Sequence, residues 1–350
     1  MHAQQFSGSK KTWNSFAQLH GGGILQSYEW GEFRNEHEWT AHRVVVVEEN
    51  AILLQAQLLE KRLPLGKSFF YCPEGPVLSE EWGTSEACDA LEAFTSFLRS
   101  FARERKAIFA KIDPHIQREA IPDGWLESQG YVDSPEDLQA AVVAHVDLSG
   151  SEEDILARMK QKGRYNIRYA AKKDVVVRSG TKQSDLDTFY RLLESTAKRQ
   201  GITYREKSYF EGIHTHLVSA GLAHYITALV SDRPVAAILV THFGSEAVYL
   251  YGGSSEEDRN VFGSYAVQWE GIKEARERGC AYYNMTGIAH DDNPANPWAG
   301  LRQFKLKFGH EVRLIGAYDL PVEPRAYKLF TTADRLRRVA VKAPRRILRR

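Results

Sequence analysis

Apolar residues along the first part of the chain fall into short segments separated by turn residues. Three of these segments, rich in Val, Leu and Phe, predict an antiparallel meander: 42–48, 51–59 and 67–72. From 84 to 105 the apolar positions recur at helical spacing, and the strand-like segment 107–112 follows. A short helix ending at Gly130 and a strand at 141–148 complete a first unit of three strands, helix, strand, helix, strand.

The same order of elements returns in the second half of the chain. Helices at about 151–172, 184–199 and 206–219 are predicted to precede three strands at 223–230, 235–242 and 247–251. A helix, a strand, a helix and a strand are then predicted at 264–278, 281–285, 297–308 and 312–320. The repeated order predicts an α/β (α+β) fold of two tandem acetyltransferase-like (GNAT) domains with mixed, largely antiparallel sheets. The two domains are expected to span 1–147 and 148–316.

Composition narrows the class of protein. A chain of 350 residues that is 43% hydrophobic can bury a large core, which excludes a disordered protein. Its three cysteines are far apart, so neither a disulfide framework nor a metal site is predicted, and His214 and His216 do not share a helix face. No signal-like start and no run of about 20 apolar residues occurs. We expect a cytoplasmic protein, at most peripheral at the inner face of the membrane.

The net charge of +1 conceals two basic segments. The segment 325–350 carries ten Lys and Arg residues against Asp334 alone, and a second cluster lies within 160–173. Such segments attract phosphates of RNA, of nucleotide-linked substrates or of anionic lipids, although a solvated helix face explains them equally well. Anionic membrane and RNA are therefore candidate partners.

A coenzyme A site is not expected. Acetyltransferases hold the coenzyme pyrophosphate on a glycine-rich turn at a helix N-terminus, because backbone amides there bind anions. The corresponding turn at 259–264 has a single glycine, Gly263, and the first unit offers only Gly83 before its helix. The pattern indicates a retained fold with another acyl donor and without a cofactor.

Ordered motifs across the chain resemble those of the FemABX family of peptidoglycan bridge-forming transferases. The matching segments are 23–34, 71–77, 111–114, 162–168, 196–202, 249–254, 300–309 and 316–320. The resemblance implies paired acetyltransferase-like domains, with 317–350 returning to the first, and a precursor cleft at the domain junction. It implies aminoacyl-tRNA as donor. The chain is similar to the compact members, since no heptad segment interrupts 200–260 to form a coiled-coil arm.

The resemblance also implies roles for individual residues. Lys305, next to Phe304, matches the lysine that would stabilise the oxyanion formed when an amine attacks an aminoacyl ester. Asp113 would orient the acceptor amine, or it is a turn-forming aspartate. Substrate binding is expected from four residues: Arg34, Arg205, Tyr209 and Tyr251. Contacts to tRNA are expected from three: Lys162, Arg164 and Arg168.

The sequence therefore predicts a monomeric, tRNA-dependent aminoacyl transferase that modifies the stem peptide of a nucleotide-linked or lipid-linked peptidoglycan precursor. Two alternatives stay open. The first is an acyltransferase that uses another donor on an exopolysaccharide or amino-sugar acceptor, because one fold hosts many acyl transfers. The second is a non-catalytic adaptor that binds RNA or membrane through the basic segment 325–350.

Overall fold

The computed structural model describes residues 1–342, without the side chains of residues 259 and 337–342. In chain order the strands are β1 (His2–Gln5), β2 (Thr40–Glu48), β3 (Ala51–Arg62), β4 (Ser68–Glu74), β5 (Val77–Leu78), β6 (Ala107–Pro114), β7 (Val132–Asp133), β8 (Val142–Asp147), β9 (Val176–Gly180), β10 (Ala223–Val230), β11 (Arg233–Phe243), β12 (Glu246–Ser254), β13 (Tyr282–Gly287), β14 (His310–Arg313) and β15 (Tyr318–Pro321). The α-helices are α1 (Lys10–Leu19), α2 (Tyr28–Asn35), α3 (Ser85–Glu104), α4 (Trp125–Ser128), α5 (Glu152–Arg158), α6 (Gln161–Lys172), α7 (Gln183–Gln200), α8 (Lys207–Ile213), α9 (Gly263–Glu277), α10 (Ala299–Lys305) and α11 (Pro324–Lys342).

The first sheet contains the N-terminal meander. Its strand order is β1-β2-β3-β4-β6-β15-β7, with β5 paired to β3. The β4 and β6 strands are parallel, and α3 crosses between them. This helix begins where the Thr84 side chain accepts a hydrogen bond from the Ala87 amide, and it buries Leu91, Phe94 and Leu98 on the sheet. Each such side chain contributes about 1.5–3 kcal/mol of burial free energy, so packing on the sheet stabilises α3.

The second sheet repeats this plan. Its order is β14-β8-β13-β12-β11-β10-β9; β10, β11 and β12 are antiparallel, and α9 leads to β13, which is parallel to β12. One face packs on α9, and the other packs on α7. Apolar residues of α1 and α2, among them Ala17, Trp30 and Phe33, join this second face. The N-terminal helices therefore hold the two sheets together.

The expected fold class is confirmed: two α/β units, each with a mixed and largely antiparallel sheet. Two strand predictions need correction. The strand at 141–148, placed in the first unit by element order, is β8 and pairs with β13 and β14 of the second sheet. The predicted strand 312–320 divides into β14 and β15, which lie in different sheets, because Gly316 turns the chain at a positive φ of 82°.

Helical segments also differ in detail from the pattern. The predicted helix at 151–172 is broken into α5 and α6, because Met159 and Lys160 adopt extended backbone conformations. The predicted helix at 206–219 begins as α8 and continues as a π-helix over His214–Val218. Within residues 1–342, no helix combines the length and apolar character that crossing a bilayer requires. The end of the basic segment, from 343, lies outside the described residues.

Candidate functional site

A cleft of about 500 Å³ opens between the two units. Its walls come from both sheets and from α2, α8 and α10. Both apolar and polar side chains line the cleft. The polar and charged ones are Arg34, Tyr71, Glu74, His115, Gln139, Arg205, Tyr209, Tyr251, Asn284, Thr286 and Lys305. Five of the residues expected from the sequence, Arg34, Arg205, Tyr209, Tyr251 and Lys305, therefore share this one cavity although they are spread over 270 positions of the chain.

Two arginines define one end of the cleft. Arg34 lies in the last turn of α2, whose N-terminus is capped by Ser27 accepting from the Trp30 amide at 3.1 Å. Its guanidinium lies 5.5 Å from the Trp39 ring centre, and its Nε has no hydrogen-bond partner among the residues that the structure describes. Arg205 lies just before α8, 5.4 Å from the ring of Tyr209. Among the ion pairs of the described residues, neither arginine takes part in one. This end of the cleft is thus suited to an anion.

The electrostatics support that assignment. Burial lowers the pKa of Arg34, an effect that Tyr209 opposes and Arg205 reinforces. The Tyr251 ring packs against Tyr209 at 6.5 Å, and burial of its phenol raises the pKa of Tyr251. Tyr251 therefore stays neutral and can donate a hydrogen bond beside the two cations. A diphosphate bound at this end of the cleft would accept charge-assisted hydrogen bonds from the guanidinium groups of Arg34 and Arg205.

Lys305 lies at another wall, at the C-terminus of α10. It is only 3% exposed, and its Nζ donates hydrogen bonds to Thr286 Oγ1 and to the Gly287 carbonyl oxygen, both at 2.9 Å. Thr286 has a positive φ of 62°, so the backbone at the end of β13 turns its groups towards this ammonium. Burial lowers the pKa of Lys305 to about 7. The cleft thus contains a buried amine to which no carboxylate of the described part of the chain is bonded.

The neighbours of Lys305 lie elsewhere. Phe304 packs in the core of the second unit, 5.1 Å from Tyr265 and 5.3 Å from Phe308, and it does not line the cleft. Lys307 donates to the Tyr265 hydroxyl at 2.9 Å. The geometry gives Phe304 a packing role and separates Lys307 from the cleft.

Asp113 is placed just behind the cleft wall. It accepts hydrogen bonds from the Tyr71 hydroxyl at 3.1 Å and from the Gln139 amide at 3.3 Å, and both donors line the cleft. Burial raises the pKa of Asp113 to about 6, against the effect of the Tyr71 hydrogen bond. Asp113 can therefore act on a substrate in the cleft only indirectly, by positioning Tyr71 and Gln139.

The residues expected to contact tRNA lie on α6, away from the cleft lining. Lys162 and Arg168 are exposed, as is Tyr165 between them. Arg164 instead donates to the carbonyl oxygens of Ala157 and Met159, and it fixes the corner between α5 and α6. Lys162 and Arg168 are therefore free to contact a large anion, whereas Arg164 is engaged within the protein.

The structure also brings together groups that no motif indicated. His115, after β6, lies 3.3 Å from Glu246 at the start of β12, and His145 of β8 lies beside both. Burial disfavours an imidazolium at His115, but the carboxylates of Glu246 and Glu74 outweigh this and raise the pKa of His115 to about 9. Burial raises the pKa of Glu74, and it lowers the pKa of His145 to about 4. These residues are too far apart in sequence to form a recognisable spacing.

Comparisons with known proteins show which sequences and folds this chain resembles. The chain is 23% identical to the lipid II:glycine glycyltransferase of Staphylococcus aureus (strain USA300), over 96% of this chain and 97% of that protein. The alignment of 416 residues is longer than this chain, so the glycyltransferase has segments that this chain lacks. The crystal structure of FemX superposes with a TM-score of 0.85 at 22% identity, covering 93% of this chain and 99% of FemX.

A more remote structure shares the fold. L-PGS from Bacillus licheniformis superposes with a TM-score of 0.57 at 12% identity, over 93% of this chain and 96% of that one. The model of the FemAB family matches three stretches that together span nearly the whole chain, residues 9–123, 127–217 and 220–335. The ordered motifs, the paired sheets and this match lead to one conclusion: the chain belongs to the FemAB family.

Proposed function

We propose that this protein transfers an amino acid from aminoacyl-tRNA to an amine in the stem peptide of a peptidoglycan precursor. The observation that carries the proposal is the cleft, which has two arginines free of ion pairs at one end and the buried Lys305 at another wall. The membership of the chain in the FemAB family and the name of its glycyltransferase relative support the same reaction.

In this proposal, each part of the acceptor occupies its own region of the cleft. Its diphosphate lies between Arg34 and Arg205, with the phenols of Tyr209 and Tyr251 beside it. The stem peptide extends from there along the apolar floor towards Lys305. The acceptor amine attacks the ester carbonyl of the aminoacyl-tRNA, so an amide bond forms and the ester C–O bond breaks. The amine gives up a proton, and the terminal ribose oxygen of the tRNA gains one.

Lys305 acts on the charge that develops in this reaction. A negative oxygen forms on the attacked carbonyl carbon, and an ammonium held in place stabilises it without reorganisation. Thr286 Oγ1 and the Gly287 carbonyl hold Nζ in one position. Because burial lowers the pKa of Lys305 to about 7, its charged form is costly in the free enzyme and becomes favourable when the oxyanion appears. That difference between ground state and transition state is what accelerates a reaction.

The test is reconstitution with purified components. The protein is incubated with tRNA charged with a radiolabelled amino acid, and with either a nucleotide-linked or a lipid-linked precursor. We expect label to enter the precursor as a new amide, identified by mass spectrometry. Uncharged tRNA plus the free amino acid is the matched control and should give no product. Absence of any branched product with a full set of charged tRNAs and both acceptors would overturn the proposal.

Arg205→Ala is expected to raise the Michaelis constant for the acceptor about tenfold to a hundredfold, the effect of losing one charge-assisted hydrogen bond. The loss should be larger at low ionic strength, since salt screens exposed charges. Steady-state kinetics with a varied acceptor concentration measure it. Arg191→Ala, which removes an exposed arginine of α7 outside the cleft, is the matched control. An unchanged Michaelis constant in Arg205→Ala would remove this residue from the binding site.

We also propose that the basic C-terminal segment attaches the protein to anionic lipid. Deleting 337–350 removes seven Lys and Arg residues. It leaves intact the start of α11, where the Tyr327 hydroxyl donates to Asp319 at 2.8 Å and Phe330 packs on Phe109. A basic residue near a charged membrane contributes about 1 kcal/mol, so binding should weaken at least tenfold.

Co-sedimentation with anionic vesicles at low and high salt measures this attachment, with neutral vesicles as the control. Full-length protein should bind the anionic vesicles more weakly as the salt concentration rises. Equal binding by the full-length and truncated proteins would show that the segment is a solvated extension. The exposed cations of α6 would then be the next candidates.

A further inference from the structure

Three potential metal ligands converge where the two sheets meet. His115 directly follows β6 of the first sheet, whereas His145 and Glu246 lie on β8 and β12 of the second. One ligand atom from each of the three lies within 4.8 Å of the others. His115 Nε2 and Glu246 Oε1 are 3.3 Å apart. The three side chains therefore surround a single point on two sheets that contact each other here.

Their polar atoms are not satisfied by the protein. His115 Nε2, His145 Nε2 and Glu246 Oε2 are buried and have no hydrogen-bond partner among the described residues. The side chains of His115 and Glu246 are 9% and 4% exposed. Their ion pair joins His115 Nε2 to Oε1 of Glu246, and this oxygen also accepts from Asn284 Nδ2 at 2.7 Å, whereas Oε2 is left without a partner among the described residues. An unsatisfied buried polar group costs about 1–3 kcal/mol, so an ion pair alone leaves an arrangement that is costly to keep.

We propose that His115, His145 and Glu246 bind one Zn²⁺ ion. Two imidazoles and one carboxylate form a ligand set that zinc accepts, with bonds of about 2.0–2.2 Å. In a tetrahedron with bonds of that length, ligand atoms lie roughly 3.3–3.5 Å apart, and the His115–Glu246 pair already has this separation. An ion bound by Nε2 of both histidines and by the Glu246 carboxylate would give partners to these buried atoms.

The surroundings of the cluster fit an ion there. Asn284 donates to Glu246 and holds its carboxylate in place, as donors behind the ligands do in zinc sites. The position of Gly23 matters as well, because a Cβ there would lie 2.1 Å from Glu74 Oε2 and 3.4 Å from Glu246 Oε2. Glycine at this position therefore leaves room for the Glu74 carboxylate. The cluster lies beside the cleft, since His115 and Glu74 both line it.

The consequence is a cross-link between the two units. The ion joins the end of β6 to β8 and β12, and it fixes the spacing of the cleft walls that carry Tyr71 and Asn284. Zinc should therefore stabilise the protein in the absence of any substrate. This readout is independent of the transferase reaction, so the zinc site and the proposed function can fail separately.

The experiment uses the full-length protein after removal of metals with a chelator. We expect calorimetric titration with Zn²⁺ alone to give one site per chain, and the thermal midpoint to rise with the Zn²⁺ concentration. Titration with Co²⁺ should give the visible absorption of a four-coordinate site. His145→Ala and Glu246→Gln should each weaken Zn²⁺ binding at least tenfold, the scale seen when a zinc site is disturbed.

His216→Ala is the matched control, since His216 lies on the π-helix and bonds to the exposed Glu36. It should leave Zn²⁺ binding unchanged. Circular dichroism of the metal-free variants shows whether each has folded; if His145→Ala has not, Glu246→Gln, which keeps the side-chain shape, decides. Absence of stoichiometric binding to the wild-type protein would overturn the proposal. Unchanged affinity in the folded variants would do the same.

Discussion

Lys305→Ala is expected to lower turnover by about two to three orders of magnitude and to change the Michaelis constant for the acceptor only a few-fold. The reason is that an ammonium facing the oxyanion acts mainly in the transition state, where one such donor contributes roughly 3–4 kcal/mol. Within the described residues, Nζ bonds to Thr286 Oγ1 and to the Gly287 carbonyl and to no carboxylate, so its charge is not neutralised by an ion pair. Single-turnover kinetics with saturating charged tRNA measure the chemical step.

Lys307→Ala is the matched control for this variant. It removes an ammonium two residues away that bonds to Tyr265 and does not line the cleft. Its turnover should stay within a few-fold of the wild type. Near-normal turnover in a folded Lys305→Ala protein would exclude the oxyanion role. A large rise in the acceptor Michaelis constant with unchanged turnover would make Lys305 a binding residue instead.

The fold was predictable from the sequence where an element packs on one sheet in the ordinary way. Helix α3 and the strands β2, β3, β10 and β11 follow from apolar spacing alone. The predictions for β8 and for β14 and β15 were wrong, because the pattern of apolar residues predicts that a segment is a strand but not which sheet the strand joins. Residues 312–320 are nearly all suited to a strand, and the turn at Gly316 that separates the two sheets is visible only in the backbone.

The site was predictable only in part, for a related reason. Similarity of motifs indicated Arg34, Arg205 and Lys305, but it could not show that the two arginines lie at one end of a cleft and the lysine at another wall. The cluster of His115, His145 and Glu246 could not be recognised from the sequence, because its three residues come from segments that are far apart along the chain. Groups assembled by long-range pairing of strands leave no local spacing to detect.

The second large effect concerns the free energy of unfolding, because the buried Lys305 is expected to destabilise the folded protein at neutral pH. Burial lowers its pKa from the ordinary 10.5 to about 7. In the unfolded chain the amine returns to the ordinary value, so between pH 7 and 10.5 the unfolded state binds more protons than the folded state. Stability therefore rises with pH through this window, and below pH 7 the full penalty is present. At about 1.4 kcal/mol per pKa unit, the penalty near neutral pH is roughly 4 kcal/mol.

Lys305→Met should accordingly stabilise the protein at pH 7 while abolishing most of its activity. Methionine has similar length and no charge, so it removes the linkage penalty. Thr286 Oγ1 and the Gly287 carbonyl then lose their donor, which costs about 1–2 kcal/mol. The expected net gain in the free energy of unfolding is about 2–3 kcal/mol at pH 7, and it should vanish or reverse near pH 10 as the wild-type penalty disappears.

Urea unfolding at both pH values, followed by tryptophan fluorescence, measures this difference. Lys307→Met, at a half-buried site outside the cleft, serves as the control for replacing a lysine of this segment by methionine. If Lys305→Met changes stability equally at pH 7 and pH 10, the buried amine carries no cost in the folded protein, and its assignment as a cation held ready for the transition state loses its physical basis.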